Sequence, residues 1–522
     1  MKKLTFKRSI MKFFLPLFIL TLAISVSAQE YCNYDEQTTH DFGYKSFDIP
    51  YLMLEQNDGK ILMLGTSYFS ESNSYKASLL RLNQNNTLDE TFGENGKAVH
   101  TWSQRNSCIS GALQDDGKIL IGGFQAPGNG GSTYRAYVAR LMSDGSPDLT
   151  FGDNGSVLLD TIIGRGSVVG LNQLNNGKIQ AIVIGNSPTG YNGMVQLDEF
   201  GAYDTTFGNN GVAYNPVLNV IWQDNYGKGL FLEDGSVIIV GKAFVNPNTK
   251  PCITKLTPEG DLDSNFAVDG TLYIERAIQY NYAGIHAALT YVEDIIIAAT
   301  SDETPKKYLL FKIDEVTGAM ENDFSTDGYL ESSQTSTYNA VHAVTVDQDS
   351  GDIHVFGTGG TGNWTPNVWT VSAAGIEENG CDGNSMQTFS LGYAYSQGYY
   401  AALYTSNGDL RISGNSGVAD TTSGSNQVMN FMTPLNSLAT GIDEFKEIAF
   451  NIYPNPAVNE INISVEDNAQ IDIINIYNQL GQKIVQENNV TNTMDISSLP
   501  KGIYIVELVS GASIVRKKLI KG

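Results

Sequence analysis

A short phrase, an acidic residue followed three positions later by phenylalanine, recurs five times along this chain of 522 residues. The copies are Leu88–Gly93, Pro147–Gly152, Tyr203–Gly208, Leu262–Phe266 and Met320–Phe324. Their phenylalanines are separated by 59, 56, 59 and 58 residues, so the period is nearly constant. A fixed period of this length is typical of a unit that cannot bury its apolar faces alone and stacks on copies of itself.

A second phrase, a turn followed by a strand-like run, precedes the first and extends the count to seven units. Its copies are Asp58–Leu64, Asp116–Ile121, Asn176–Ile179, Asp234–Val240, Glu293–Ile297, Ser350–Ile353 and Asn407–Leu410. The Asp-Gly and Asn-Gly steps supply the positive φ angles of a tight hairpin turn. In the clearest copies the following run is apolar at nearly every position, which predicts a strand covered on both faces. Radially stacked blades would cover both faces, whereas a sandwich would wet one.

Each unit accommodates four strands: one before the turn, one after it, a third such as Ser78–Leu82, and a fourth around the acidic phrase. Four strands in about 58 residues, seven times over, predict an all-β chain with a seven-bladed β-propeller. The seventh unit lacks a fourth strand, and an orphan Asp41–Gly43 lies near the N-terminus. We therefore expect residues 38–43 to complete the last blade and close the ring.

Two further repeated features predict structure rather than chemistry. A glycine follows the turn at an equivalent place in most units, which favours close packing of one sheet on the next. These glycines are Gly65, Gly123, Gly241, Gly357 and Gly414; Ala299 takes the place in the fifth unit, and Gly185 comes two residues late in the third. The recurring acids also follow a polar residue of the third strand by eight or nine positions. In the four units where that residue is Arg81, Arg140, Lys255 or Lys312, we expect a structural pair within or between blades.

These repeated phrases resemble the delta-60 repeat family of bacterial exported proteins. The resemblance covers roughly residues 40 to 430 and is strongest in the first four units. It implies a propeller-like repeat domain and carries no agreed catalytic role.

The N-terminus has the pattern of an export signal. A basic start with Lys2, Lys3 and Arg8 is followed by an apolar stretch and by small residues ending at Ala28. We predict a signal peptide over residues 1–28, a propeller over 29–440 and a separate C-terminal domain over 441–522. Nothing later in the chain reaches the length of a membrane-spanning stretch.

Charge and cysteine content narrow the possible partners. The formal net charge of −24 argues against a nucleic-acid partner, because few basic groups would neutralise phosphates. Cys108 and Cys252 lie in strand-like runs and are expected to be buried apolar residues. Cys32 and Cys381 form a candidate disulfide, which an oxidising compartment would permit.

The last 80 residues have another pattern. Six or seven short strand-like runs predict a small Ig-like β-sandwich. Four ordered motifs there are similar to the type A C-terminal sorting domain of the type IX secretion system. Their marker residues are Tyr453, Pro454, Asn455, Pro456, Gly481, Gly502, Tyr504, Lys517 and Lys518. The resemblance implies the type IX machinery as a partner and export across the outer membrane of a Bacteroidetes-type bacterium, to the cell surface or the medium.

No motif of known chemistry is present. The sequence has no phosphate-binding loop, nucleophile elbow or paired-histidine metal motif, and the five histidines are scattered. A run resembling a calcium loop, Asp347–Asp352, lacks the later glutamate and aligns with the repeated turn, so we interpret it as a turn. The recurring acids are copied in several units, whereas catalytic carboxylates are unique. We therefore predict no catalytic residue, no metal and no cofactor.

Variation among the units is the remaining pointer to function. The loops after the second strand differ in length and content, and they would share the face opposite the Asp-Gly turns. Rigid scaffolds commonly carry function on such loops. Their aromatic side chains are candidate binding residues for a sugar or a protein: Tyr68, Phe124, Tyr134, Tyr191, Phe244 and Trp364. We expect a binding or adhesion protein; the alternatives are a surface carbohydrate-active enzyme with a site at this end of the channel, and a structural surface-layer component.

Overall fold

The computed structural model describes the following residues: 36–40, 48–69, 72–127, 134–159, 166–185, 191–215, 227–245, 248–279, 285–290, 293–336, 338–360, 365–379, 385–388, 395–418, 425–433, 450–465, 473–478, 483–488, 493–510 and 513–522. Regular secondary structure in these ranges consists of β-strands alone. The chain divides into two compact units, Met1–Ser437 and Leu438–Gly522. The all-β class predicted from the sequence is confirmed. The predicted signal peptide, Cys32 and Cys381 lie outside the described residues.

The strands of the first unit form seven four-stranded antiparallel sheets within the described ranges. The first strand, β1 (Glu36–His40), belongs to the last sheet. Sheet 1 contains β2 (Asp48–Glu55), β3 (Ile61–Phe69), β4 (Ser74–Leu82) and β5 (Lys97–His100). Sheet 2 contains β6 (Arg105–Leu113), β7 (Ile119–Ala126), β8 (Arg135–Leu141) and β9 (Ser156–Leu158). Sheet 3 contains β10 (Gly166–Gln173), β11 (Ile179–Gly185), β12 (Tyr191–Leu197) and β13 (Val212–Asn215).

The remaining sheets repeat this order. Sheet 4 contains β14 (Lys228–Phe231), β15 (Val237–Val245), β16 (Asn248–Leu256) and β17 (Thr271–Tyr273). Sheet 5 contains β18 (His286–Leu289), β19 (Ile295–Thr300), β20 (Tyr308–Ile313) and β21 (Tyr329–Glu331). Sheet 6 contains β22 (Tyr338–Val346), β23 (Ile353–Gly360), β24 (Thr365–Val371) and β25 (Met386–Thr388). Sheet 7 contains β26 (Tyr395–Tyr404), β27 (Leu410–Val418), β28 (Ser425–Thr433) and the N-terminal β1.

The seven sheets are arranged in a ring. The first strand of each sheet contacts the first strand of the next, and β26 of sheet 7 contacts β2 of sheet 1. The N-terminal strand β1 closes sheet 7 by pairing antiparallel with β28, Thr38 opposite Asn430. This confirms the expected closure, although the strand begins two residues earlier than predicted, and residues 41–47 are outside the described ranges.

The second strand of each sheet is covered on both faces, as its uniform apolar pattern predicts. Every residue of β19 is buried, and so are Ile61–Ser67 of β3. The apolar side chains fill the layers between neighbouring sheets: Ile238 and Val240 of sheet 4 belong to one cluster with Ile297 of sheet 5. The apolar interior is therefore distributed between blades.

The repeated acidic phrase forms a contact that we call the latch, defined by Arg81, Asp89, Phe92 and their counterparts. In sheet 1 the Arg81 Nε donates to the Asp89 carboxylate at 2.7 Å, and its Nη1 donates to the backbone carbonyl of Ser143 in sheet 2 at 2.6 Å. The arginine thus ties one blade to the turn of the next.

The phenylalanine of the latch explains why the phrase is spaced so regularly. Phe92 is fully buried, and a Cβ added at Gly145 of sheet 2 would lie 2.7 Å from its ring. Gly145 has a φ of 86°, so both its conformation and the close approach favour glycine. The amide of Gly93 also donates to the carbonyl of Asp144 at 2.7 Å.

The latch recurs with graded departures. Arg140 donates to Asp148 at 2.8 Å, Gln196 to Asp204 at 2.6 Å, and Lys255 lies 3.6 Å from Asp263. The prediction of a structural pair is confirmed for Arg81, Arg140 and Lys255. For Lys312 it is wrong, because this lysine pairs with Asp294 at 3.0 Å rather than with Glu321.

The repeated glycines have a different cause from the one predicted. A side chain at Gly65 or Gly123 would collide with the carbonyl of Ile49 or Ser107 in the innermost strand of the same sheet. Each carbonyl precedes a β-bulge, where the pairing register of that strand shifts. Packing of sheet on sheet contributes at Gly357, which faces both its own sheet and the Tyr308 hydroxyl of sheet 5.

Two smaller predictions are also settled by the first unit. Cys108 and Cys252 are buried and not disulfide-bonded, as expected of small apolar residues. Asp347–Asp352 is a turn, closed by the amide of Gly351 donating to the carbonyl of Asp347 at 2.8 Å.

The second unit has two antiparallel sheets in its described part. One contains β29 (Phe450–Tyr453), β30 (Glu460–Val465) and β33 (Thr493–Asp495); the other contains β31 (Ile473–Asn478), β32 (Lys483–Asn488), β34 (Gly502–Ser510) and β35 (Ser513–Lys521). Ile461 and Ile463 of the first sheet share one buried cluster with Ile474, Ile476 and Val506 of the second. The two sheets therefore enclose a common core.

Candidate functional site

Three of the six predicted binding aromatics lie together on sheets 1 and 2. Tyr68, Phe124 and Tyr134 belong to the hairpins that follow the second strands, and Tyr75 and Arg105 join them into one group. We call these five residues the aromatic–arginine patch. All five side chains are half-buried.

Arg105 lies at the centre of the patch. Its guanidinium is 4.6 Å from the ring centroid of Tyr75 and 5.6 Å from that of Tyr134. It also donates a hydrogen bond of 3.2 Å to the Tyr134 hydroxyl. A cation between two aromatic faces is attracted by both ring quadrupoles, which fixes the side chain at the boundary between the sheets.

The outer members of the patch are held by ring contacts. Tyr68 packs against Tyr75 with centroids 4.9 Å apart, and its hydroxyl donates to Asn73 at 2.8 Å. Phe124 meets Tyr134 edge to face at 4.5 Å. These contacts pre-organise a surface of aromatic rings around one cation.

The other three predicted aromatics are not placed in this patch. Tyr191 begins β12, and Phe244 pairs with Thr249 between β15 and β16, but their side chains are not described. Trp364 lies outside the described residues. Sequence reasoning missed Tyr75 and Arg105, since Tyr75 comes after the loop and Arg105 begins the next sheet.

A second candidate site is the cavity at the centre of the ring. It has a volume of about 230 Å³ and is bordered by the first strands of all seven sheets. Sheets 1 to 3 contribute an apolar wall that includes Tyr51, Ile109 and Val169. Each of these three residues occupies the β-bulge of its strand, between the register positions that flank the shift.

Sheets 4 and 5 give the cavity a basic wall, and two further basic residues lie beside it. Lys228 and His286 line it as the first residues of β14 and β18. His342 occupies the bulge of β22 and hydrogen-bonds to the Thr358 hydroxyl at 3.1 Å. Lys242 of β15 is buried, and its ammonium donates to the carbonyl of Gln279 at 3.2 Å.

All four basic groups have lowered pKa values, and burial is the largest cause for each. Burial lowers the pKa of His286 well below its usual value, and the charges of Lys228, His342 and Lys242 lower it further. Burial also lowers the pKa of Lys228, that of Lys242 to about 8, and that of His342 to about 4. Burial therefore favours the uncharged forms of all four groups, and the two histidines are neutral at pH 7.

A signal for this wall exists in the sequence but requires the units to be aligned on their turns. The positions equivalent to Lys228 and His286 are Leu52, Ser110, Gly170, Ala343 and Ala401. Two basic residues in a place otherwise occupied by small or apolar residues mark a departure from the repeat.

A third group has the composition of a metal site. Carboxylate oxygens of Asp294, Asp314 and Glu315 lie within 4.8 Å of one another. Asp294 is paired with Lys312, and Asp314 accepts hydrogen bonds from the amide and hydroxyl of Thr317. These contacts belong to the blade and its turn.

The second unit brings the predicted sorting motifs into contact. The Asn455 side chain accepts the amide of Ile520 at 2.7 Å and donates to the carbonyl of Lys518 at 2.9 Å. Tyr504 is buried, and its hydroxyl donates to the carbonyl of Pro500 at 3.0 Å. The first motif therefore packs on the last strand, while Gly481 lies outside the described ranges.

Comparison with family models decides the identity of this unit. Residues 451–522 match the secretion system C-terminal sorting domain. The chain is a type IX-sorted β-propeller protein. Residues 56–92, 114–151 and 232–266 match the domain of unknown function (DUF5122) beta-propeller. These segments cover the turn and acidic phrase of units one, two and four, so the propeller recognition is confirmed.

The sorting domain fixes the destination of the type IX-sorted protein. It directs export through the type IX machinery to the cell surface or the extracellular space. In the described part of the chain, no helix has the length and apolar character required to cross a bilayer.

Solved structures with similar folds are distant in sequence. PorZ, a surface component of the type-IX secretion system of Porphyromonas gingivalis, is 14% identical with a TM-score of 0.41, covering 92% of this chain and 60% of that one. A PL25 ulvan lyase is 11% identical with a TM-score of 0.40, covering 74% and 95%. The β-propeller domain of the trilobed protease from Pyrococcus furiosus is 10% identical with a TM-score of 0.34, covering 76% and 99%.

The type IX-sorted protein spans 60% of the length of PorZ. Among curated proteins, no significant relative was found. The activities of these neighbours are therefore properties of those proteins alone.

Proposed function

We propose that this exported protein is a binding or adhesion protein that holds a glycan or protein ligand on its aromatic–arginine patch. The observation that carries the proposal is the arrangement of Arg105 between Tyr75 and Tyr134 across two sheets. Tyrosine and arginine are among the residue types enriched in the hot spots of protein interfaces. Aromatic rings also offer flat apolar faces with polar rims, which suit the faces of sugar rings.

The rigidity of the patch supports this role. Its hairpins are anchored in strands whose inner halves are fully buried, and its rings are held by the contacts given above. A surface that is ordered before the ligand arrives loses little entropy on binding. Export to the cell surface places such a patch where glycans and foreign proteins are encountered.

The proposal is tested with the full-length protein, glycan arrays and pull-downs of surface proteins. We expect Arg105→Met to weaken binding about tenfold or more, the effect of losing a central hot-spot residue. Arg276→Met is the control. Arg276 also lies beside an aromatic ring, 5.6 Å from that of Tyr329 in sheet 5, but it is outside the patch. Equal binding by the two variants would contradict the proposal.

A carbohydrate-active enzyme is the second candidate, favoured by His286, a histidine that lines the central cavity in sheet 5. Its test is an assay of polysaccharide turnover by the full-length protein, repeated with the variant His286→Gln. Turnover that His286→Gln abolishes would establish the enzyme in place of the binding protein.

A further inference from the structure

The two walls of the central cavity differ in a way that the repeat does not require. Sheets 1 to 3 line it with Tyr51, Ile109 and Val169, while sheets 4 and 5 add Lys228 and His286 to their small and apolar residues. We propose that the basic wall binds an oxyanion group, the carboxylate or sulfate of a small ligand, through Lys228 and His286 with His342 and Lys242 beside them. This inference does not depend on the proposed role of the aromatic–arginine patch.

Lys228 and His286 are available to a ligand. Neither side chain has a hydrogen bond or an ion pair to any residue in the described ranges, and both border the cavity. A lysine used only for structure is expected to have a carboxylate partner, as Lys312 has in Asp294.

The surroundings offer no acidic partner on the same strands. None of β14, β15, β18, β19, β22 and β23 contains an aspartate or a glutamate. The basic side chains on these six strands are Lys228, Lys242, His286, His342 and His354, the last being buried and bonded to the Thr370 hydroxyl at 3.1 Å. In a chain of net charge −24, this is a local reversal of sign.

The size of the cavity limits the ligand. A volume of about 230 Å³ is below the usual range for sites that enclose drug-sized molecules. It suits one acidic group with the ring that carries it, such as a uronic acid or a sulfated sugar. The apolar wall opposite would contact the uncharged side of that ring.

Protonation links the site to pH. Burial favours the neutral forms of His286 and His342, and neighbouring positive charge adds to this at His286; an entering anion would favour the charged forms. Binding should therefore take up protons. The affinity should rise as the pH falls, by at most about tenfold per pH unit for each proton taken up.

The test is calorimetric titration of the full-length protein with D-glucuronate, inorganic sulfate and neutral D-glucose. We expect an anion to bind while glucose does not, and we expect Lys228→Met to weaken binding about tenfold or more. Lys250→Met is the matched control in the same unit, because Lys250 is paired with Glu275. The preferred anion tells a carboxylate ligand from a sulfate ligand.

The outcomes that overturn the proposal are definite. Equal binding of glucose and glucuronate, binding of neither anion, or unchanged binding by Lys228→Met and His286→Gln would each contradict it. Proton uptake is measured by titration in two buffers of different ionisation enthalpy at pH 7.5 and pH 5.5. We expect His286→Gln to reduce the uptake, and absence of uptake in the unmodified protein would remove His286 from the site. Melting temperatures with and without sulfate show whether each variant is folded.

Discussion

The latch and the channel wall of the first unit use charge in opposite ways. Arg140 in the latch is buried beside Asp148 at 2.8 Å, and the arrangement is copied with small changes along the ring. Lys228 in the channel wall occurs once and faces the cavity without such a partner in the described residues. The comparison separates side chains kept by repetition, which hold the blades together, from side chains that depart from it, which we assign to binding.

The pKa values express the same contrast. Burial opposes ionisation of Asp148, but hydrogen bonds from Thr150 and the charge of Arg140 outweigh it and lower the pKa. For Lys228, burial acts without such compensation, so the pKa of the ammonium is lowered. The charges of the latch therefore stabilise the folded protein, whereas the charge of Lys228 in the channel wall destabilises it.

The largest expected effect is the loss of a latch phenylalanine. Phe151 is fully buried, lies under Gly201 of sheet 3 and has the Arg140 guanidinium 4.7 Å from its ring centroid. Phe151→Ala would leave a cavity between two blades and lower the free energy of unfolding by about 3–5 kcal/mol. Scanning calorimetry of the full-length protein measures this change.

Its control is Leu149→Ala in the same phrase. Leu149 is 74% exposed, so its truncation should change the melting temperature little. A comparable loss of stability in both variants would show that the latch does not depend on the buried ring.

A smaller effect is expected from Asp148→Asn. Removing the charge weakens the bonds from Arg140 and Thr150 and should cost about 1–3 kcal/mol at pH 7. The lowered pKa of Asp148 gives stability that is present above the unfolded value of 3.8 and is lost as the pH falls below it. The variant should therefore show a flatter loss of stability below about pH 4.

Melting temperatures between pH 2 and pH 7 test this, with the exposed Glu90→Gln of sheet 1 as the control. An unchanged acid limb in Asp148→Asn would show that this carboxylate does not stabilise the latch through its charge.

The difference between repeated contacts and contacts that occur once also explains what the sequence could predict. The turns, the buried second strands, the Arg81–Asp89 pair and the closure by β1 follow from local patterns repeated at a fixed interval. Phe92 and Gly145 are 53 residues apart, yet their contact follows from the same period. Repetition makes distant contacts predictable, because each is present several times.

Contacts that occur once could not be predicted in this way. Arg105 meets Tyr75 and Tyr134 across a boundary between sheets, and nothing in its local sequence indicates this. Lys312 pairs with Asp294 instead of Glu321, because the fifth unit has an acid where the first three units have a lysine directly before the second strand. The bulges of the innermost strands shift the register by one residue, which hid both the reason for Gly65 and the residues that face the cavity.

The smallest expected effect is a gain in stability on replacing Lys228, and it tests the contrast between the latch and the channel wall directly. Lys228→Met replaces a desolvated ammonium with an apolar side chain of similar length, so we expect the free energy of unfolding at pH 7 to rise by about 0.5–2 kcal/mol. Because the folded pKa of Lys228 is lowered, its charge destabilises the fold below the unfolded value of 10.5, and the gain should fade as the pH rises toward that value. Denaturant titrations at pH 7 and pH 10 measure the difference, with Lys250→Met as the paired control that should not gain stability. A loss of stability in Lys228→Met would mean that this lysine belongs, like Arg140, to the structural charges of the ring.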